Sequence, residues 1–168
     1  MSDSEYTVRL ATLADAGAVF SLCVDLHAEN ALFPIDKAKY EARIAEILAT
    51  PEEWLSLTGV EKTKFGFIAL AEKRGIPAGA LVVSIEKLWY TEAECLSELF
   101  NYVAPEHRRS DCAKKLIGFA KELADGMNMT LLIGVLSTTR TEAKVRLYGR
   151  HFTPVGAFFV HLNDGAVH

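Results

Sequence analysis

A β-rich run, Leu99 to Val103, stops at Pro105, passes through the basic turn Glu106-His107-Arg108-Arg109, and restarts at Ser110 as an amphipathic helix. Proline removes a backbone donor and disfavours helix in the residue before it, so the junction must be a strand–turn–helix corner. Such a corner exposes the helix's first, unpaired N–H groups at its positive dipole end, with Arg108 and Arg109 beside them. A phosphate or pyrophosphate is the anion this arrangement attracts most naturally.

The rest of the chain supplies elements on either side of that corner. Tyr6 to Ala11 reads as a strand, and Thr12-x-x-Asp15 as a capping-box-like start to a helix with Val19, Leu22, Cys23 and Leu26 at helical spacing. After a break at Phe33-Pro34-Ile35, Asp36 caps a second helix carrying Tyr40, Ile44, Ile47 and Leu48, expected to end before Pro51. Phe65 to Glu72 and Ala78 to Ile85 are apolar runs flanking the turn Lys73-Arg74-Gly75-Ile76-Pro77, and Cys95 to Val103 is a third.

Past the corner, a helix from about Ser110 to Asp125 buries Ala113, Leu116, Ile117, Ala120, Leu123, Ala124 and Met127, with Gly126 as its C-terminal cap. Leu131 to Leu136 is an unbroken apolar run, as expected of a strand covered on both faces. A helix from Thr141 to Arg150 and a strand from Val155 to Leu162 close the order β-α-α-β-β-β-α-β-α-β. Hairpin-linked and helix-linked strands together imply an α/β (α+β) class with a mixed sheet flanked by about four helices. No linker or repeat divides residues 1–168, which read as a single domain.

Charge and composition narrow the function. A net charge of −4 argues against a nucleic-acid partner. No apolar run reaches the roughly 18 residues of a membrane span, and Met1-Ser2-Asp3-Ser4-Glu5 is too acidic for a signal peptide. Cys23, Cys95 and Cys112 lack metal-ligand spacing, so free thiols in a reducing, cytoplasmic setting are expected. Cys23 and Cys95 read as core residues. Cys112, in the first turn of the anion-facing helix, reads as a packing or lining residue, or else as a thiol of lowered pKa.

With these elements in place, the chain resembles the GCN5-related N-acetyltransferase superfamily over nearly its whole length. Val8 to Asp15 is similar to the family's first strand and helix start. Val103-x-Pro105-Glu106-x-Arg108 resembles its central motif, whose Arg/Gln-x-x-Gly-x-Gly/Ala pattern falls on Arg108 to Ala113. Leu147-Tyr148-Gly149-Arg150-His151-Phe152-x-Pro154-Val155-Gly156 resembles the last helix and following strand.

The resemblance implies a mostly antiparallel sheet in which two central parallel strands, Leu96 to Val103 and Leu131 to Leu136, splay apart around acetyl-CoA. Backbone near Tyr102 and Val103 would pair with the pantetheine arm. Arg108, Arg109, Ser110, Asp111, Cys112, Ala113 and Lys114 would surround the pyrophosphate, chiefly through the amides of Arg109 to Ala113. Asp111 stands where the family has a glycine, placing a negative charge near phosphate; Arg108, Arg109, Lys114 and Lys115 could offset it. The family's acid position falls on Leu147, one residue from Tyr148. Tyr148 is taken as the acid that protonates the leaving thiolate, the other reading being a packed core tyrosine.

The base stays open at this level. Glu98 is the obvious carboxylate, although strict alternation puts it with Phe100 and Tyr102 and makes an outward, solvated residue an equal alternative. Asn101, on the face of Ser97, Leu99 and Val103, could position a water or the substrate. Glu86, Glu92, Glu94 and Glu98 around Trp89 and Tyr90 read as a solvated hairpin, or as an acidic pocket for a cation. His107 could add positive charge near the phosphates.

The expected function is direct acetyl transfer to a primary amine of a small-molecule or peptide acceptor. The alternative is a catalytically degenerate CoA-binding or interaction module on the same fold. An apolar last strand, Ala157 to Val160, could pair with a second subunit as a homodimer.

Overall fold

The computed structural model describes residues 5–30, 32–59 and 66–160. The extreme N-terminus, Phe65 at the head of the expected second strand and Leu162 at the tail of the last lie outside the described residues. Strands β1 (Tyr6–Leu10), β2 (Gly66–Lys73), β3 (Ile76–Lys87), β4 (Glu94–Val103) and β5 (Leu131–Leu132) form one sheet in the order β1-β2-β3-β4-β5. Pairing is antiparallel from β1 through β4 and parallel between β4 and β5. Between β2 and β3, Arg74 (φ 53°) and Gly75 (φ 77°) are both left-handed, the turn whose twist matches the flanking strands.

Helices α1 (Ala16–Asn30) and α2 (Lys37–Leu48) cover one face of the sheet. Val19, Leu22, Cys23, Ile44 and Ile47 pack there on Ile68, Leu70, Val82, Phe100 and Tyr102. Helix α4 (Cys112–Gly126) covers the other, seating Cys112, Leu116, Ala120 and Ala124 on Ala69, Ala71, Leu81, Val83 and Leu96. Alternate residues of β2 and β3 therefore enter opposite cores, as the two-residue period of a strand requires. Among the described residues no helix is long and apolar enough to cross a membrane.

Helix α2 ends before Pro51 as expected, but Pro51 then opens a helix that the expected order lacks, α3 (Pro51–Thr58), with a reciprocal Thr50–Glu53 capping box. Three expectations are corrected. Helix α4 is not closed by a left-handed Gly126; the left-handed residue is Asn128 (φ 52°), and Met127 is exposed. The β5 run is a strand only at Leu131–Leu132. Residues 153–160 form no strand, and Val155, Phe158, Phe159 and Val160 are exposed, so helix α5 (Thr141–Gly149) is the last regular element described.

Close backbone approach between β3 and β4 makes Gly79 sensitive. A Cβ there would lie 2.7 Å from the Tyr102 carbonyl oxygen, which is backbone and cannot swing aside. Gly79→Ala is expected to destabilise the fold by about 1–3 kcal/mol, read as a lower urea midpoint at unchanged slope.

Candidate active site

An irregularity in β4 decides which side chains meet. Opposite Val82 and Val83 of β3 stand Phe100 and Glu98, so Leu99 is an extra residue, a β-bulge. The bulge reverses the alternation along the strand: Leu96 joins the α4-side core with Val103, whereas Phe100 and Tyr102 enter the α1/α2 side. Glu98 therefore leaves the face of Phe100 and Tyr102, where strict alternation put it. Glu98 and Asn101 now reach one partner, Tyr148 of α5.

The Tyr148 hydroxyl donates to the Glu98 carboxylate, 3.2 Å from each oxygen, and accepts from Asn101 Nδ2 at 3.1 Å. The Gly134 amide donates to Glu98 Oε2 at 3.1 Å. Burial pushes the Glu98 carboxyl up to about 7, although the Gly134 amide and the Tyr148 hydroxyl favour its charged form. Burial, and then the negative Glu98, push the Tyr148 phenol well above its ordinary value. A carboxyl whose pKa is raised toward neutrality, hydrogen-bonded to a protonated phenol, is an arrangement that can pass a proton between the two groups.

The space around this pair comes from the parting of β4 and β5, which pair only at Leu96–Leu131 and Ser97–Leu132. From Glu98 to Val103, β4 has no strand partner on that side among the described residues. The chain after β5 is instead tied to the end of α1. There Asn30 Oδ1 accepts from the Ser137 hydroxyl (2.6 Å), the Thr139 hydroxyl and the Thr139 amide (3.3 Å). A cavity of about 620 Å³ opens along Asn101, Tyr102, Val103 and the start of α4, and a second of about 240 Å³ is walled by Glu98, Leu99, Gly134 and Leu136. Asn101, Lys144 and Tyr148 line both, so the Tyr148 hydroxyl stands at their common wall, with Glu98 on the side of the smaller cavity.

The basic corner forms one end of the larger cavity, with Arg108, Ser110, Asp111, Ala113 and Lys114 among its lining. Its members behave differently. Arg108 faces inward: its Nη2 donates to both Glu29 oxygens at 2.7 Å, its Nε to the Val103 carbonyl at 2.8 Å, and it lies over the Tyr102 ring. Its charge is thus engaged within the protein rather than offered to an anion. Tyr102 buries its ring and donates to Glu29 at 2.8 Å, leaving only its backbone for the cleft.

Arg109 is exposed and lines neither cavity. The Cys112 amide donates to the Ser110 hydroxyl at 3.1 Å, so that helix donor is already capped. Asp111 has φ −84°, a conformation that needs no glycine, and its carboxylate lies 3.9 Å from Lys115 Nζ. Lys114, Arg140, Lys144, Arg146 and Arg150 supply the remaining cations of the wall, against the carboxylates of Glu29 and Asp111.

Several sequence expectations are settled differently by these positions. Cys112 is fully buried and its thiol is pushed up to about 11, first by burial and then by Asp111, so the lowered-pKa reading fails. His107 turns its Nδ1 to the Tyr6 hydroxyl at 3.0 Å, away from the cavity. Glu92 and Glu94 are exposed beside Trp89 and Tyr90, and Glu86 bonds Arg43 and Ser84, so this group is a solvated hairpin from which Glu98 stands apart.

Sequence reasoning missed Glu29, Asn30 and Lys144. Lys144 sits four residues before Tyr148 and so shares its helix face, a spacing that was available. Burial, and then Arg108, hold the Lys144 ammonium below its ordinary value. Burial alone would raise the Glu29 carboxyl, but its bonds to Arg108 and Tyr102 outweigh that and hold it lower. No local pattern marks Glu29 or Asn30, because their partners lie more than 70 residues away.

No protein-family model matches this chain, and no curated protein does. Solved structures do. An aminoglycoside N-acetyltransferase in complex with a CoA-monomethyl-acetylneamine bisubstrate analogue superposes with TM-score 0.67 at 15% identity, over 95% of this chain and 99% of that one. Ribosomal-protein-alanine N-acetyltransferase from Brucella melitensis biovar Abortus 2308 gives 0.63 at 14%, over 94% and 99%. An aminoglycoside acetyltransferase from an uncultured soil metagenomic sample gives 0.63 at 14%, over 97% and 100%. A sheet whose parallel pair parts after two residues, matched end to end by these structures, is the GCN5-related N-acetyltransferase fold, and this chain has it.

Proposed function

We propose that the protein is an acetyl-CoA-dependent N-acetyltransferase, one domain over residues 1–168, that acetylates a primary amine by direct transfer. The observation that carries this reading is the Glu98–Tyr148–Asn101 cluster, whose Tyr148 and Asn101 line both cavities while Glu98 faces the smaller. The larger cavity fits acetyl-CoA in kind: about 620 Å³ lies within the usual range for ligand sites, its charged side chains are mostly basic, and β4 offers an edge without a strand partner among the described residues. Backbone of Tyr102 and Val103 would hold an extended arm. Ser110, Ala113, Lys114 and the α4 terminus would hold phosphates. Bound there, acetyl-CoA supplies an acetyl group activated as a thioester.

The residues then divide the proton work. An acceptor ammonium must lose its proton to become a nucleophile, and Glu98 is the base that takes it. Tyr148 holds the proton required by a departing thiolate, with Asn101 orienting its oxygen. Glu98 can return a proton to Tyr148 across their hydrogen bond. Of the two protons the nitrogen sheds overall, one replaces the phenol's and the other leaves to solvent.

Calorimetry with acetyl-CoA tests the reading, followed by thiol release against an amine panel. Saturable binding near one equivalent is expected, tighter in Asp111→Gly, which removes a negative charge from the cavity mouth. Tyr148→Phe should keep that affinity and lose about 10²–10⁴-fold in kcat. Binding without turnover of any amine would favour a CoA-binding module, and absence of binding would overturn both.

A further inference from the structure

We infer, building on acetyl transfer as proposed above, that the acceptor is a small monoamine with an apolar body, an alkylamine or arylalkylamine, rather than a polyamine or amino sugar. The smaller cavity holds about 240 Å³, under the roughly 300 Å³ at which sites for drug-sized ligands begin. Its walls are largely carbon: Leu26, Leu99, Val135, Leu136 and Phe158. Leu99, Leu136 and Phe158 are 44%, 66% and 80% exposed, an apolar surface gathered beside the acid–base pair rather than scattered.

Charge makes the choice between acceptors. Among the described residues, the lining carries one carboxylate, Glu98, and one ammonium, Lys144, whose Nζ is anchored on the Ser137 hydroxyl at 2.9 Å. One carboxylate matches one ammonium, the group to be acetylated. A second ammonium would find no carboxylate and would face Lys144. Glu29, in the adjoining cavity, is already held by Arg108 and Tyr102. Glu92 and Glu94 line neither space.

Thiol release with acetyl-CoA and hexylamine, 2-phenylethylamine or spermidine tests this on the full chain, with acetyl-CoA affinity measured separately by calorimetry. The apolar monoamines should exceed spermidine in kcat/KM by at least about tenfold, the scale of a small difference in pocket contacts. Leu136→Glu, which adds a carboxylate at an exposed rim, should move that ratio toward spermidine by a similar factor. Spermidine preferred by the unaltered protein, or a ratio unmoved by Leu136→Glu, overturns the inference and leaves acetyl transfer standing. Acetyl-CoA binding with no turnover of either apolar amine also overturns it. No acetyl-CoA binding removes the acetyltransferase reading, and this inference with it.

Discussion

Glu98→Gln should lower kcat for amine acetylation by about 10²–10⁴-fold and leave acetyl-CoA affinity nearly unchanged. Glutamine keeps the shape but cannot take a proton, and Glu98 lines the smaller cavity, not the one assigned to acetyl-CoA. In the unaltered protein kcat/KM should rise with pH through about 7, where this carboxyl ionises, and the variant should lose that limb. Stability moves the other way. A carboxyl whose folded-state pKa is raised binds its proton more tightly folded than unfolded. Its stabilising share is complete below the ordinary carboxylate range and is lost as pH climbs through about 7. Thermal melts at pH 5 and pH 8 should therefore show Glu98→Gln gaining on the parent as pH rises. A pH-independent difference, or full activity in the variant, would remove Glu98 as the base.

Leu116→Ala should destabilise the fold by about 2–5 kcal/mol. Leu116 is fully buried on α4, packed into the core beneath Leu81, Val83 and Leu96. Against a total of about 5–15 kcal/mol for a domain, that is a large fraction. Urea unfolding followed by circular dichroism measures it, and a loss under about 1 kcal/mol would contradict the seating of α4. Because the same helix presents its N-terminus to the basic corner, acetyl-CoA affinity should fall together with stability.

The architecture was legible where local pattern and burial agree. Strands β1 to β4, the Arg74–Gly75 turn and the buried stripe Leu116, Ile117, Ala120 and Ala124 all follow from period and turn chemistry. The Thr50–Glu53 box was equally visible, but Pro51 was given its stopping role rather than its starting one. The face carrying Glu98 was not legible. Alternation assumes an unbroken ladder, and nothing in the sequence around Leu99 announces that its partner strand is one residue short. The inward turn of Arg108 was hidden for another reason: proximity in sequence to an anion site does not compete with a carboxylate, Glu29, delivered by a distant helix.

The order of assembly follows from the tethering of the segment after β5. The antiparallel meander from β2 to β4 joins neighbours in sequence, whereas Tyr148 meets Asn101 and Glu98 across 47 and 50 positions. Among the described residues, its segment is fastened chiefly by two strand residues, the Gly134 amide, hydroxyl bonds to Asn30 and the exposed Lys121 bond to the His151 carbonyl. Few anchors mean a small opening free energy, so amides there should exchange with solvent water long before those of β2 and β3. Activity would then vanish and return in mild denaturant while the sheet stays folded.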